Sequence, residues 1–317
     1  MTDHAGRPVA PELPFVKMHG LGNDFIVVHG DGAADATPQE FRRWCDRATG
    51  IGADGVLVVQ PIDAAADPPC LAVRIINADG SDGGMCGNGL RCVGRYVVEH
   101  GLVDAASSSL DVRMGGRPVR IGIVERRGDE PWIVQVAMGD ASFGMDAVDA
   151  DSRHLEMLDE VTCRLHAGGQ VVDALLVSMG NPHAVWFVPD AGEVDLGEIG
   201  PAIEHHPAFP RGMNLQVAMV LDRTRIDVRT WERGAGRTTA CGSGACAVVA
   251  AAMRRGWVEQ MVDVSLPGGV LTVQWDEGDG LALIGEAAAV FTGRMTTAFS
   301  PRRGNMSAGS GDAARVR

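Results

Sequence analysis

The chain has 317 residues, 45% apolar and 22% charged, enough to bury substantial cores in two domains of ordinary size. A formal net charge of −13 sets an average surface field that repels nucleic acid and anionic membranes, so no nucleic-acid or membrane partner is expected and a small-molecule substrate is. No apolar h-region follows Met1, and the longest apolar run, Ala245 to Met253, falls well short of the roughly 18 residues that span a bilayer. The expected location is the cytoplasm.

In chain order, residues 1–13 contain proline and lack apolar periodicity, and are expected to be a disordered tail. Short β-branched runs at Phe25–Val28, Gly55–Val59 and Ala72–Ile76 predict strands. A glycine-rich turn, Cys86-Gly87-Asn88-Gly89, then leads into a helix with Leu90, Val93 and Val97 on one face, stopped at Gly101. Strands are predicted again at Val119–Val124, Ile133–Val136 and Leu215–Val220. A second turn, Cys241-Gly242-Ser243-Gly244, opens a helix that is apolar all round and ends before Gly256. The Gly/Ser/Ala/Arg-rich 298–317 segment is expected to be a second disordered tail.

These elements repeat. Val73, Cys86 and Gly101 recur 155 residues later at Val228, Cys241 and Gly256, and Gly22-Asn23 recurs 158 residues later at Gly180-Asn181. The chain therefore reads as two homologous halves, 14–138 carrying Cys86 and 139–288 carrying Cys241. Each half is one α/β unit, and the two cysteines face each other if the halves pack about a pseudo-twofold axis. A pyridoxal enzyme needs a Schiff-base lysine, and Lys17 is the only lysine, which argues against that cofactor.

Seven cysteines in a chain expected in a reducing compartment serve packing, metal binding or catalysis rather than bridges. Cys45, Cys70, Cys92, Cys163 and Cys246 read as core residues. A zinc site from Cys86, Cys92, Cys241 and Cys246 lacks the usual two-residue knuckle spacing, and no metal is expected. A thiol at a helix N-terminus has its thiolate stabilised by free N–H groups and the helix dipole. The N–H groups of Gly87, Asn88, Gly242 and Ser243 also make a cradle for an α-carboxylate. Two such thiols on opposite faces of one carbon meet the demand of epimerisation: one removes a proton and the other returns it, with no cofactor.

The motifs His19-Gly20-Leu21-Gly22-Asn23-Asp24-Phe25, Asn77-Ala78-Asp79-Gly80-Ser81, Met85-Cys86-Gly87-Asn88-Gly89, Gly180-Asn181-Pro182-His183 and Trp231-Glu232-Arg233-Gly234, with the Cys241 turn, resemble those of the diaminopimelate epimerases over roughly residues 15–297. The resemblance implies an α+β fold of two pseudo-symmetric α/β domains, each a barrel-like mixed sheet around a central helix, with residues 289–297 returning to the first half. It implies interconversion of LL- and meso-diaminopimelate by an isomerase of lysine and peptidoglycan precursor biosynthesis, without cofactor or metal, in a homodimer. By the same resemblance Asn23, Asn77, Asn181, Asn214, Glu232 and Arg233 line the substrate site. Glu232 suits the distal ammonium and Arg233 the distal carboxylate. Two readings of His183 stay open: it helps remove the proton from Cys86, as Glu232 does for Cys241, or it only orders its loop.

The sequence departs from the family pattern at Gly55, where many relatives have a substrate-contacting glutamine, and at Arg237, where glutamate is frequent. Two rival readings are a proline racemase or hydroxyproline epimerase type of enzyme, and a ligand-binding relative without activity. A cyclic substrate with one carboxylate does not call for the Glu232–Arg233 pair, and intact cysteines in both halves argue against the silent relative.

Overall fold

Inward-facing apolar residues alternate along most strands of the chain, so each sheet needs something to bury against, and in both halves that is a single helix. The computed structural model describes residues 12–63, 70–276 and 278–296. In the first half lie β1 (Glu12–Gly20), β2 (Asn23–His29), α1 (Asp31–Ala34), α2 (Pro38–Cys45), β3 (Gly55–Asp63), β4 (Cys70–Asn77), α3 (Gly87–Glu99), β5 (Ser109–Met114), β6 (Arg117–Glu125) and β7 (Trp132–Gly139). The second half begins with β8 (Ser142–Phe143), α4 (Met145–Val148), β9 (Glu156–Met157), β10 (Thr162–Ala167), β11 (Gln170–Ser178), β12 (Pro182–Phe187) and α5 (Leu196–Glu204). It continues through β13 (Asn214–Asp222), β14 (Arg225–Glu232), β15 (Gly236–Thr238), α6 (Gly242–Arg254), β16 (Met261–Leu266), β17 (Gly269–Asp276) and β18 (Gly280–Thr296).

The predicted repeat is present in the pairing pattern. In the first half β1–β2 is antiparallel, β2–β3 parallel, β3–β4 antiparallel and β4–β5 parallel. In the second, β11–β12, β12–β13, β13–β14 and β14–β16 follow the same sequence of senses. Register carries the equivalence to single residues: Phe25 faces Gly55 where His183 faces Asn214, and Val27 faces Leu57 where Val185 faces Gln216.

In the first half β5, β6 and β7 complete the antiparallel run, and β18 joins β7 to β1 to close a barrel. Residues of α3 fill its interior: Leu90, Cys92, Val93, Tyr96 and Val97 are almost entirely buried among the strand side chains. In the second half the Ala245–Ala252 stretch of α6 fills the same place, its small side chains allowing strands on every side to approach. Cys92 and Cys246 thus sit in separate barrel cores, Cys45 at the end of α2 and Cys163 beneath α5 in the outer layers. Cys70 is half-buried.

Two boundaries differ from expectation. β1 starts at Glu12, inside the expected tail, because Glu12–His19 pairs with β18; the remainder of that tail and all of 298–317 lie outside the described residues. The return to the first half begins before residue 289: β18 is a 17-residue strand whose pairing with β7 starts at Leu281 while residues 280–284 still pair with β17. One strand therefore belongs to both barrels and fixes how they meet.

Candidate active site

Cys86 and Cys241 are the N-cap residues of α3 and α6, both with extended backbone. Each helix starts where a strand ends and a glycine-rich turn reverses the chain. The glycines have a specific cause. A Cβ on Gly87 would lie 3.1 Å from Leu283 Cδ2, and one on Gly242 would lie 2.7 Å from the same atom. Both helix starts therefore close on one leucine of the shared strand. The second glycine of each motif leaves room for a β3 or β13 side chain, with Leu57 2.9 Å from a Cβ at Gly89 and the Gln216 amide 2.6 Å from one at Gly244.

Asn88 locks the two turns together. Its Nδ2 donates to Ala240 O, the residue before Cys241, at 3.3 Å and to Asn23 Oδ1 at 3.2 Å. Its Oδ1 accepts from Arg91 Nη1 at 2.9 Å. Asn23 in turn donates to Asp54 at 2.8 Å. Asn23 and Asn88, named from the motifs, are thus brought together at the seam between the halves.

Both thiols are free and both are pushed up rather than down. Burial raises Cys86 to about 11, with the Glu232 charge adding to it and the Gly89 N–H and Arg91 opposing. Burial also raises Cys241 well above its usual value, with Glu232 again adding. The expectation that the helix N-terminus would lower them is overturned: desolvation of the thiolate outweighs the N–H groups, although Gly89 N does donate to Cys86 Sγ at 3.3 Å. Glu232 is the common neighbour. Cys241 S–H donates to its carboxylate, Thr238 Oγ1 donates to its Oε1 at 2.6 Å, and burial raises its pKa, so it is suited to take up a proton.

The frame is symmetric but its chemistry is not. Phe25, Leu57, Asn77 and Arg91 in the first half correspond to His183, Gln216, Glu232 and Cys246 in the second. The second half carries at these positions a polar chain through His183 and Gln216, where the first half has Phe25 and Leu57. Thr230 Oγ1 donates to Gln216 Oε1 at 2.7 Å, Gln216 Nε2 meets His183 Nδ1 at 3.2 Å, and His183 Nε2 meets Asn181 Oδ1 at 3.0 Å. Asn181 Nδ2 then donates to Ser243 Oγ at 3.2 Å, and Ser243 Oγ lies 3.7 Å from Cys241 Sγ. The imidazole is fully buried, and burial, then the Arg233 charge, lower its pKa to about 3. His183 is neutral with both nitrogens engaged, donating from Nε2 and accepting at Nδ1. Its hydrogen bonds run through Asn181 and Ser243 toward Cys241.

Asn214 donates to Pro182 O at 2.6 Å and accepts from Arg233 N at 2.9 Å, closing the loop that presents Glu232. Asn77 ends β4 and donates to Ser81 Oγ at 3.0 Å. Arg233 is exposed, with Nη1 on Arg211 O at 2.7 Å, so its guanidinium is not turned inward as expected; the tight turn at Gly212 holds its stem outside. Gly55 has a local cause: a Cβ there would lie 2.7 Å from Ile76 O, so a glutamine does not fit this backbone. Arg237 is exposed on β15. Lys17 is buried and held by Asp24 and Gly52 O. Sequence reasoning missed Thr238, Gln216, Leu283 and Arg91. Two arginines, Arg91 and Arg95, on an otherwise apolar helix were the one available signal, and the strand residues declare themselves only through register.

The family model described as diaminopimelate epimerase matches residues 15–144 and 175–290. Relatives of that name from Magnetococcus marinus and Desulfitobacterium hafniense are 42% and 41% identical, covering 89% of this chain and 96% and 97% of theirs. Among solved structures, a hydroxyproline epimerase from Agrobacterium vitis has a TM-score of 0.61 at 17% identity, covering 90% of this chain and 91% of that one. A predicted epimerase from Pseudomonas aeruginosa has a TM-score of 0.60 at 16% identity, covering 90% and 99%. At such identities these two show the shared fold alone. With two barrels, a cysteine at each equivalent helix start and relatives matched across nearly their whole length, the chain belongs to the diaminopimelate epimerase family.

Proposed function

We propose that the chain interconverts LL- and meso-2,6-diaminopimelate by proton transfer between Cys86 and Cys241, acting as an isomerase without a cofactor. The observation that carries this reading is the convergence of both helix starts, from equivalent places in the two halves, on Leu283, with Asn88 of one turn bonded to Ala240 O of the other. A substrate carboxylate between the starts receives N–H groups from both. One sulfur, as thiolate, takes the α-proton; the C–H electron pair moves into the carboxylate-stabilised carbanion, which takes the proton of the other thiol on the opposite face. The two protonation states are then exchanged, and Glu232 beside Cys241 gives the proton a place to rest during the reset.

Asn23, Asn77, Asn181 and Asn214 are assigned to substrate contacts, and Arg233 to the distal carboxylate after its side chain swings from Arg211 O. Among the described residues no helix is long and apolar enough to cross a membrane, and we place the enzyme in the cytoplasm, as a homodimer, in lysine and peptidoglycan precursor biosynthesis. The rival of hydroxyproline type shares the barrel frame, but its substrate has no distal carboxylate for Arg233. The test is chiral chromatography of LL-diaminopimelate after incubation with the enzyme, beside lysine, glutamate and 4-hydroxyproline. The meso isomer is the expected product, with kcat/KM for diaminopimelate highest; preference for hydroxyproline or a simple amino acid would overturn the assignment.

A further inference from the structure

Among the described residues, Arg91 stands out as a buried cation whose hydrogen bonding is not closed. It is fully buried in α3, and its Nη2 is, among the described residues, the buried side-chain polar atom left without a partner. Its Nε donates to Glu286 O on the shared strand at 3.1 Å and its Nη1 to Asn88 Oδ1 at 2.9 Å. A neutral carbonyl and a neutral amide are what it binds; neither is a counter-charge. The barrel leaves room for it at Gly20, where a Cβ would lie 2.6 Å from Nη2. Gly20 does not have the positive φ that would call for glycine on backbone grounds, so the guanidinium accounts for it. The equivalent position in the second half holds Cys246, and the second half instead holds Glu232 where the first has Asn77. The cation belongs to the Cys86 side and the acid to the Cys241 side.

We propose that Arg91 is a positioning residue whose counter-ion is the active site itself: its charge supports the Cys86 thiolate, and its hydrogen bond aims Asn88 across the seam at the Cys241 turn. An arginine keeps its proton when buried, so the positive charge is permanent and the site can hold one more negative charge than its N–H groups alone allow. The charged and titratable groups that face this pair are Glu232 on β14, Cys92 on the same helix, Cys246 on α6 and Glu286 on β18. Of these, Cys92 and Cys246 are raised to about 12 by burial and stay protonated at neutral pH. Of the two catalytic sulfurs, Cys86 is thus the one the cation favours as thiolate when the site ionises, and Cys241, beside a carboxylate, the one that keeps its proton.

The inference rests on the reading of Cys86 as a proton-transfer thiolate, but its test does not need the substrate. The rate of Cys86 alkylation by iodoacetamide is followed against pH by mass spectrometry of its peptide, in the unchanged protein and in Arg91→Met, Arg91→Gln and Arg91→Lys. Loss of the charge moves the midpoint of Cys86 upward by about one unit, about tenfold less thiolate at neutral pH, in both neutral variants; Arg91→Gln, which keeps a donor for Asn88, serves if Arg91→Met does not fold. Arg91→Lys keeps the charge and leaves the midpoint near that of the unchanged protein, while kcat falls because the fork that orients Asn88 is lost. An unchanged midpoint in a folded neutral variant, or the same shift in Arg91→Lys as in Arg91→Gln, overturns the proposal. If the unchanged protein does not epimerise diaminopimelate, the functional reading fails while the alkylation profile still decides the role of Arg91.

Discussion

Asn88 of the first half donates to Ala240 O of the second at 3.3 Å, so the turn carrying one cysteine holds the turn carrying the other. Replacing it breaks three contacts at once and leaves Arg91 Nη1 and Ala240 O without this partner. Asn88→Ala should destabilise by about 1–3 kcal/mol, the cost of stranding a buried polar partner, and should lower kcat more than KM because the two sulfurs lose registration. Urea denaturation with steady-state kinetics checks both, and a fall in stability with kcat untouched would remove Asn88 from the site.

The cysteines carry a sharper expectation. Cys86→Ala and Cys241→Ala should each lose about 10²–10⁴-fold in turnover, the usual worth of a positioned acid or base, with an unchanged circular dichroism spectrum. Turnover surviving in either variant would mean that one sulfur suffices.

Gly244 tests whether the polar chain behind Cys241 depends on packing. A methyl at this position would sit 2.6 Å from the Gln216 amide, so Gly244→Ala should cost about 1–3 kcal/mol through overpacking. It should also slow turnover by displacing Gln216 from His183. Thermal unfolding and kcat measured together check this; a variant as stable and active as the unchanged protein would show that the amide has room to move.

His183 sets an acid limit on stability. Its folded pKa, lowered to about 3 by burial and then by Arg233, lies below its ordinary 6.5. The unfolded chain therefore binds the extra proton first, and the stability that neutral His183 contributes is fully present above pH 6.5 and is lost as pH falls from 6.5 toward 3. Thermal unfolding between pH 7 and 4 should fall less steeply for His183→Gln than for the unchanged protein. Parallel curves would contradict the burial of a neutral imidazole.

Much of the frame was legible because it repeats. The 155-residue spacing from Cys86 to Cys241 survives as two helix starts against one shared strand, and the runs at Phe25–Val28, Gly55–Val59 and Leu215–Val220 lie within strands as predicted. What the chain did not declare was which residues meet across strands. Gln216 beneath Gly244, and Leu283 between both helices, follow from register and from β18 serving two barrels, and neither leaves a local signature. The thiol electrostatics were misread for a related reason. A helix N-terminus is visible in the turn sequence, whereas the burial that opposes it depends on everything folded around the turn.

The account's central claim is that two different groups remove and return the proton, and solvent isotope separates that from a single shuttling base. In deuterated water at early times, the thiol that delivers has already exchanged with solvent, whereas the thiolate that abstracts carries away substrate protium. With LL-diaminopimelate and the unchanged enzyme, deuterium at the inverted α-carbon should appear in the meso product and be nearly absent from recovered LL substrate, as read by mass spectrometry. Deuterium appearing equally in recovered substrate and product would mean one base serving both faces, and would contradict the assignment of Cys86 and Cys241 to opposite sides of the carbon.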